Sequence, residues 1–289
     1  MSVGRVLVTG AGGQLASAIV RAFAGEEVIL LHRRDLDVTD PGAVRRVVRD
    51  ARPDAIVNCA AFNNVDGAEE APADALAVNA FAVRSLARAA EETGATLVHY
   101  GTDFVFDGEG TVPYRETDPP APRSAYAASK LLGEWFGLDA PRGFVLRVES
   151  LFGCEAQWRG RRGTLDGMVE SLEAGREIRA LTDRVVSPTY LEDAAAATRF
   201  LLEAGAAPGL YHCVNSGHGT WYEVAVEVAR LLGVTPRLVP VTTADLTLKA
   251  RRPRYCALDN GKLAGAGFRM PAWQDAVRRW LTMGRYIHG

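Results

Sequence analysis

The chain is short of cysteine, of lysine and of long apolar runs, and each shortage narrows its chemistry. Its four cysteines, Cys59, Cys154, Cys213 and Cys256, are scattered with no CxxC pair. Thiolate zinc sites and disulfide frameworks are therefore not expected, and a reducing cytoplasm suits the chain. No window approaches the ~18 apolar residues that span a bilayer, and the first ten residues lack the apolar stretch of a signal peptide. A dominant charge sign is missing too. The net charge of −2 gives no general attraction to nucleic acid or to anionic membranes. Only Lys130, Lys249 and Lys262 are lysines, and the arginine excess says little about function. What remains is ordinary for a soluble enzyme: 289 residues, 48% hydrophobic and 24% charged.

Against that plain background one segment stands out, Tyr126-Ala127-Ala128-Ser129-Lys130, downstream of Thr102-Asp103. A tyrosine and a lysine four apart on a helix share one face, about 6 Å apart at Cβ. The ammonium there is expected to lower the phenol from about 10 toward neutrality and to hydrogen-bond a ribose. A phenol so tuned is a proton donor for a ketone under reduction. Alone, the spacing also fits an exposed amphipathic helix. The N-terminus tips the balance. Arg5-Val6-Leu7-Val8-Thr9 reads as a buried parallel strand, ending in Gly10-Ala11-Gly12-Gly13-Gln14-Leu15-Ala16 and a helix. Gly10 permits a tight turn, Gly13 lets the backbone approach a pyrophosphate, and the helix start offers N–H groups to its charge.

The first half alternates strand and helix, predicting an α/β, Rossmann-like, doubly wound parallel sheet. Strands are expected at 27–31, 55–58, 96–100 and 143–147, with helices at 41–52 and, as one long element, 71–93. Beyond Val148 the pattern changes. Ser187-Pro188-Thr189 precedes a helix, 209–214 reads as a strand, and Thr220-Trp221 opens another helix. The expected division is a dinucleotide-binding domain over 1–148 and a smaller mixed α/β substrate domain over 149–289, its segments interlaced with the first. Ligands of open parallel sheets bind beyond the carboxyl ends of the strands, where Gly10, Asn58 to Ala61 and Thr102 converge. After the second strand come Leu31-His32-Arg33-Arg34-Asp35. Arginines there suit a 2′-phosphate, so NADPH is the expected cofactor and NADH the alternative.

These stretches bring a family into view. The chain resembles the extended short-chain dehydrogenase/reductases that act on nucleotide sugars, and within them the dTDP-4-dehydrorhamnose reductase family. The matching stretches are Asn58 to Glu69, Gly101 to Gly108, Tyr126 to Lys130 with Gly133-Glu134, Ser187-Pro188-Thr189, Arg252-Pro253, and Leu258 to Leu263. Trp273 and the final helix match as well. The resemblance implies NADPH-dependent reduction of the C4 ketone of dTDP-4-dehydro-6-deoxy-L-mannose to dTDP-L-rhamnose. It assigns catalysis to Tyr126, Lys130 and Thr102. The cofactor would meet Gly10, Gly12, Gly13, Gln14, Leu15, Arg33, Asp37, Val38, Ala60, Ala61, Phe62 and Asn79, together with Tyr126 and Lys130. The nucleotide-sugar substrate would meet Val65, Thr102, Asp103, Phe104 and Ser150. No metal is expected, since no carboxylate cluster argues for one, and a homodimer is the assembly such enzymes usually form.

Two departures bear on the chemistry. Related dehydratases follow the Thr-Asp pair with a glutamate, whereas this chain has Phe104, which cannot move protons. After the strand ending at Arg147 the family commonly presents Ser-Trp-Val-Tyr-Gly; here it is Glu149-Ser150-Leu151-Phe152-Gly153. Ser150 in place of a flat ring leaves a wider pocket. A reductase or epimerase of another ketosugar therefore stays open, as does a non-catalytic NADP-binding subunit resembling the β-subunit of methionine adenosyltransferase. Arg159, Arg161 and Arg162 are either a diphosphate clamp or a solvated loop. His99, His212, Trp221, Trp273 and Trp280 are expected in cores, Glu69, Glu70 and Asp118 as caps or surface charges. Asp66 is a candidate for orienting the cofactor loop or for a turn.

Overall fold

The computed structural model describes residues 3–153 and 163–283. Strands β1 (Arg5–Thr9), β2 (Glu27–Leu31), β3 (Ala55–Asn58), β4 (Thr96–Thr102) and β5 (Gly143–Val148) pair in parallel. A sixth strand, Gly209–His212, adds in parallel to β5. The order across the sheet is Gly209–His212, β5, β4, β3, β1, β2. Every residue of β3, β4 and β5 is buried, because helices cover both faces; that is why these strands are mostly apolar and do not alternate with polar residues.

The chain leaves β1 for β2 on one side, then returns to place β3 on the other. That reversal opens a crevice at the carboxyl ends of β1 and β3, where doubly wound sheets take their ligands. Helix α1 (Gln14–Ala22) follows β1, and α2 (Pro41–Ala51) follows β2. Asp40 caps α2 by accepting from the Gly42 and Ala43 amides at 2.8 and 3.0 Å, with Pro41 in its first turn.

The expected long helix at 71–93 runs unbroken from Pro72 to Thr93, as Pro72–Leu76, a π-helical turn Ala77–Phe81 and Ala82–Thr93; a short helix, Val65–Glu70, precedes it. Pro72, lacking an N–H, can only restart a helix at its first turn. The π turn, a feature common at functional sites, buries Asn79 completely.

Two cores form. One lies on the sheet, where Ile19, Val57 and Leu146 pack with Leu191, Ala194 and Leu201 of the helix Leu191–Glu203. The other gathers Phe152, Leu165, Tyr190, Val224, Trp221, Trp273 and Trp280 around the helices Thr164–Glu173, Trp221–Leu232 and Trp273–Met283. The three tryptophans are thus packing residues. Thr220 and Glu223 cap the Trp221 helix reciprocally, at 2.7 and 3.1 Å. Among the described residues no helix is long and apolar enough to cross a membrane.

Candidate active site

The glycine turn sets one end of the site. Gly10 has a φ of 64°, and a Cβ there would lie 2.6 Å from the Ala60 amide nitrogen. Only glycine lets the end of β1 press against the loop after β3. Gly13 caps α1 without a side-chain hydrogen bond, and the first turn carries no acid. A helix start of this kind is suited to a dinucleotide pyrophosphate. Asn58 braces the turn, accepting from the Thr9 hydroxyl at 2.6 Å and from the Ala60 amide at 3.2 Å.

A cleft of about 540 Å³ runs from this turn past the ends of β3, β4 and β5. It brings together Gly13, Gln14, Leu15, Ala60, Ala61, Val65, Thr102, Asp103, Phe104, Tyr126, Lys130 and Ser150. Asn63, Tyr100, Gly163 and Thr164 line it as well. The sequence gives none of these four a site role, for nothing local marks them as facing a ligand. Arg33, Asp37 and Val38 lie outside its walls, beyond β2; the Ala11 amide, bonded to the Leu31 carbonyl at 3.2 Å, holds the turn against that strand end. Arg33 is exposed, and Thr39 hydrogen bonds hold the Asp37 carboxyl below its ordinary range. Phe62 and Asn79 also stand behind the wall. Asn79 spends its amide on the Phe62 N–H (2.8 Å), the Phe62 carbonyl (3.1 Å) and the Ser129 hydroxyl (3.0 Å). It splints the cofactor loop to the Tyr126 helix instead of facing the cleft.

The helix Ala125–Leu138 carries the central pair. Ser124 caps it at the Ala127 amide (3.2 Å), and Glu69 accepts from the Ala125 amide at 2.8 Å. Tyr126 and Lys130 are both buried. Gly133 brings this helix tight against the π turn; a Cβ there would sit 1.9 Å from the Asn79 carbonyl oxygen. Next to it, Glu134 is locked to Arg147 of β5 by contacts of 2.7, 3.0 and 3.1 Å, both side chains almost fully enclosed. Phe104 meets the Tyr126 ring edge-on at 5.6 Å and shields it from water.

One expectation is overturned. Burial, with Asp103 beside it, raises the Tyr126 phenol above its ordinary value, and a hydrogen bond to Thr102 only partly opposes this. Lys130 does not pull the phenol toward neutrality. Its ammonium donates to the Tyr100 carbonyl, and burial brings its own pKa down to about 8 despite Glu134. Four residues of spacing place two side chains on one face; they do not decide which acceptor the ammonium takes.

A second polar cluster lies behind Thr102. The Thr102 hydroxyl donates to Asp103 Oδ1 at 3.0 Å. Asp103, Glu149 and Cys256 have donor atoms within 4.8 Å of one another, all three buried. Glu149 Oε2 accepts from the Ser187 amide at 2.6 Å, while Glu149 Oε1, Asp103 Oδ2 and Arg184 Nε have no partner. Burial pushes both carboxyls up, Glu149 far up with Asp103 adding to it; Arg184 opposes both shifts. The sequence reading found no carboxylate cluster, because these residues come together only from distant parts of the chain. Two charges about 5 Å apart at an effective dielectric near 20 repel by roughly 3 kcal/mol.

The remaining candidates are placed as follows. Asp66 is gripped by Arg252 at 2.9 Å twice and by the Ala250 amide at 3.0 Å, holding its carboxyl at about 2; it fastens helix Val65–Glu70 to the Ala250–Arg252 segment. His99 bonds Asn58 at 3.1 Å, and His212 bonds the Asp259 carbonyl at 3.1 Å; burial keeps both neutral, His212 at about 3. Glu70 pairs with Lys249, and Asp118 accepts from the Arg115 amide at 2.7 Å. Arg159, Arg161 and Arg162 fall outside the described residues.

Comparison with known proteins agrees with this geometry. A family profile described as the RmlD substrate binding domain matches residues 4–285. A dTDP-4-dehydrorhamnose reductase of Streptomyces griseus is 39% identical, the match covering 96% of this chain and 90% of that one. The chain belongs to the dTDP-4-dehydrorhamnose reductase family. The spore coat polysaccharide biosynthesis protein SpsK of Bacillus subtilis is 36% identical over 96% of both chains. The structure of a dTDP-4-dehydrorhamnose reductase from Bacillus anthracis in complex with NADP superposes with a TM-score of 0.91 at 31% identity, covering 98% of this chain and 100% of that one. Two features mark the segment after β5. Ser150 lines the cleft in left-handed backbone (φ 44°), and Glu149 is buried just behind it.

Proposed function

We propose that the chain reduces the C4 ketone of dTDP-4-dehydrorhamnose to dTDP-L-rhamnose with NADPH. The observation that carries this is the set of Thr102, Tyr126 and Lys130 brought together in the wall of a cleft that begins at the Gly13 helix start. Family membership and the names of the relatives fix the substrate class. Bound NADPH supplies a hydride to the ketone carbon. Tyr126 gives its proton to the C4 oxygen; burial keeps that proton in place throughout the neutral range, which a donor requires. Thr102 hydrogen-bonds at the same oxygen, and Lys130 turns from the Tyr100 carbonyl to the ribose hydroxyls.

Gly10, Gly12, Gly13, Gln14 and Leu15 cradle the pyrophosphate, Arg33 takes the 2′-phosphate, and Asp37 and Val38 flank the adenine. Ala60, Ala61 and Phe62, splinted by Asn79, support the nicotinamide half. Val65, Asp103, Phe104 and Ser150 face the sugar. The substrate sits between the 1–148 unit and the 149–289 unit, whose Ser150, Gly163 and Thr164 form the far wall. The reaction belongs in the cytoplasm, where the free thiols of Cys59, Cys213 and Cys256 are stable. Exposed Phe81, Trp135 and Leu138 on the two helices beside the site suit a homodimer, which sedentary monomeric behaviour in analytical ultracentrifugation would disprove.

The deciding experiment is NADPH oxidation with dTDP-4-dehydrorhamnose beside GDP- and UDP-linked ketosugars. Turnover of the thymidine sugar alone is expected. Turnover of only another nucleotide's ketosugar would shift the substrate, a reading that the small Ser150 favours. Cofactor binding without turnover of any of them would assign a non-catalytic role.

A further inference from the structure

The buried cluster behind Thr102 is unusual in what it leaves undone. Asp103 and Glu149 are each more than nine-tenths buried, and each keeps one oxygen without a partner. Arg184 faces both carboxyls and stacks over Phe104 at 5.4 Å. One guanidinium beside two carboxyls is electrically neutral only when a single proton stays on the pair. Burial strongly favours that state over a net negative one. Cys256 adds no charge, since burial keeps its thiol protonated.

The cluster connects to the cleft in one direction. Asp103 lines the cleft and touches Thr102 at 3.0 Å; Thr102 in turn is hydrogen-bonded to Tyr126. Glu149 lies one layer deeper. We propose that Asp103 and Glu149 share one proton and pass it, through the Thr102 hydroxyl, to the Tyr126 oxygen once that phenol has protonated the sugar. This rests on the reductase reading above. The balance is simple. The C4 oxygen gains the Tyr126 proton as C4 gains hydride; the Thr102 hydroxyl then turns from Asp103 Oδ1 to give its proton to the Tyr126 oxygen, and is refilled from the protonated carboxyl of the pair. The pair, left doubly ionised against Arg184, recovers its proton from water when product leaves. Glu149 touches neither substrate nor cofactor and is a positioning residue: its negative charge keeps the proton on Asp103. The other titratable groups facing the relay, Lys130 and Glu134, lie on the Tyr126 side and are held by the Tyr100 carbonyl and Arg147.

The test is Glu149→Gln. Freed of its charged neighbour but still facing Arg184, Asp103 should ionise at lower pH. The alkaline fall of kcat is expected about one pH unit lower than in the wild type, a roughly tenfold loss at pH 8, with wild-type turnover regained at the acid end. NADPH affinity and the ketosugar KM should stay within about twofold. A profile unchanged, or lowered equally at every pH, would overturn the relay. Infrared difference spectra provide a readout independent of turnover: a protonated-carboxyl band at pH 7.5 in the wild type, lost in Glu149→Gln. Absence of that band from folded wild-type protein, or stoichiometric metal in its place, overturns the shared proton. A band that is present while every ketosugar goes unreduced defeats the reductase reading and the relay but leaves the shared proton standing.

Discussion

Two buried arginine–carboxylate clusters flank the same cleft and are built on opposite terms. Around Arg147, every partner is supplied: Glu134 meets it with three contacts, Phe106 lies under the guanidinium at 5.0 Å, and His212 approaches at 3.4 Å. Around Arg184, two carboxyls crowd one guanidinium, and three polar atoms go unbonded. The first arrangement fixes the helix Ala125–Leu138 against β5. The second keeps a proton on a carboxyl pair that reaches the proposed proton donor through Thr102. Full satisfaction makes a buried charge rigid, whereas an incomplete set of bonds leaves it able to change state.

That contrast is open to attack, beginning with its largest consequence. Tyr126→Phe deletes the donor that the Arg184 cluster serves, and kcat should fall about 10³-fold while NADPH affinity is kept. Full activity in this variant would strip the cluster of any purpose. Next, Glu134→Ala strands the Arg147 charge and should cost about 3 to 5 kcal/mol in denaturant titration. Glu149→Gln should change stability by no more than about 1 kcal/mol. Equal losses would erase the distinction between the clusters.

A third arginine sharpens the comparison because it is exposed. Arg33→Ser should raise the KM for NADPH about tenfold and leave that for NADH unchanged, a loss well below that of either buried site. The smallest effect is a slope. Lys130 titrates at about 8 in the folded chain against 10.5 when free. The unfolded state therefore binds the additional proton between about pH 8 and 10.5, and this group makes stability rise with pH across that window. Melting curves at pH 7.5 and 9.5 should show a rise that Lys130→Met flattens. A rise of the same size in both proteins would assign it elsewhere.

Much of the site could be read from local sequence. The strand–glycine–helix unit at Arg5–Ala22 announces itself by its apolar run and its turn, and the Tyr126–Lys130 spacing needs only helical geometry. Thr102 follows from the rule that strand ends face the ligand. Other parts resisted. Asn79 reads as a cofactor contact, but the π turn rotates it inward to splint Phe62 and Ser129. Strand Gly209–His212 reads as belonging with the second half, yet its open hydrogen bonds are met by β5. Nothing local assigns Glu149 a role, yet it is buried beside Asp103.

The sequence alone determined periodicity, caps and the glycine positions, because those depend on neighbours within a few residues. The choice of the Tyr100 carbonyl by Lys130, and the meeting of Asp103, Glu149, Arg184 and Cys256, were decided only when distant segments closed on one another. Burial then set the protonation of those groups, and burial is a property of the packed chain as a whole.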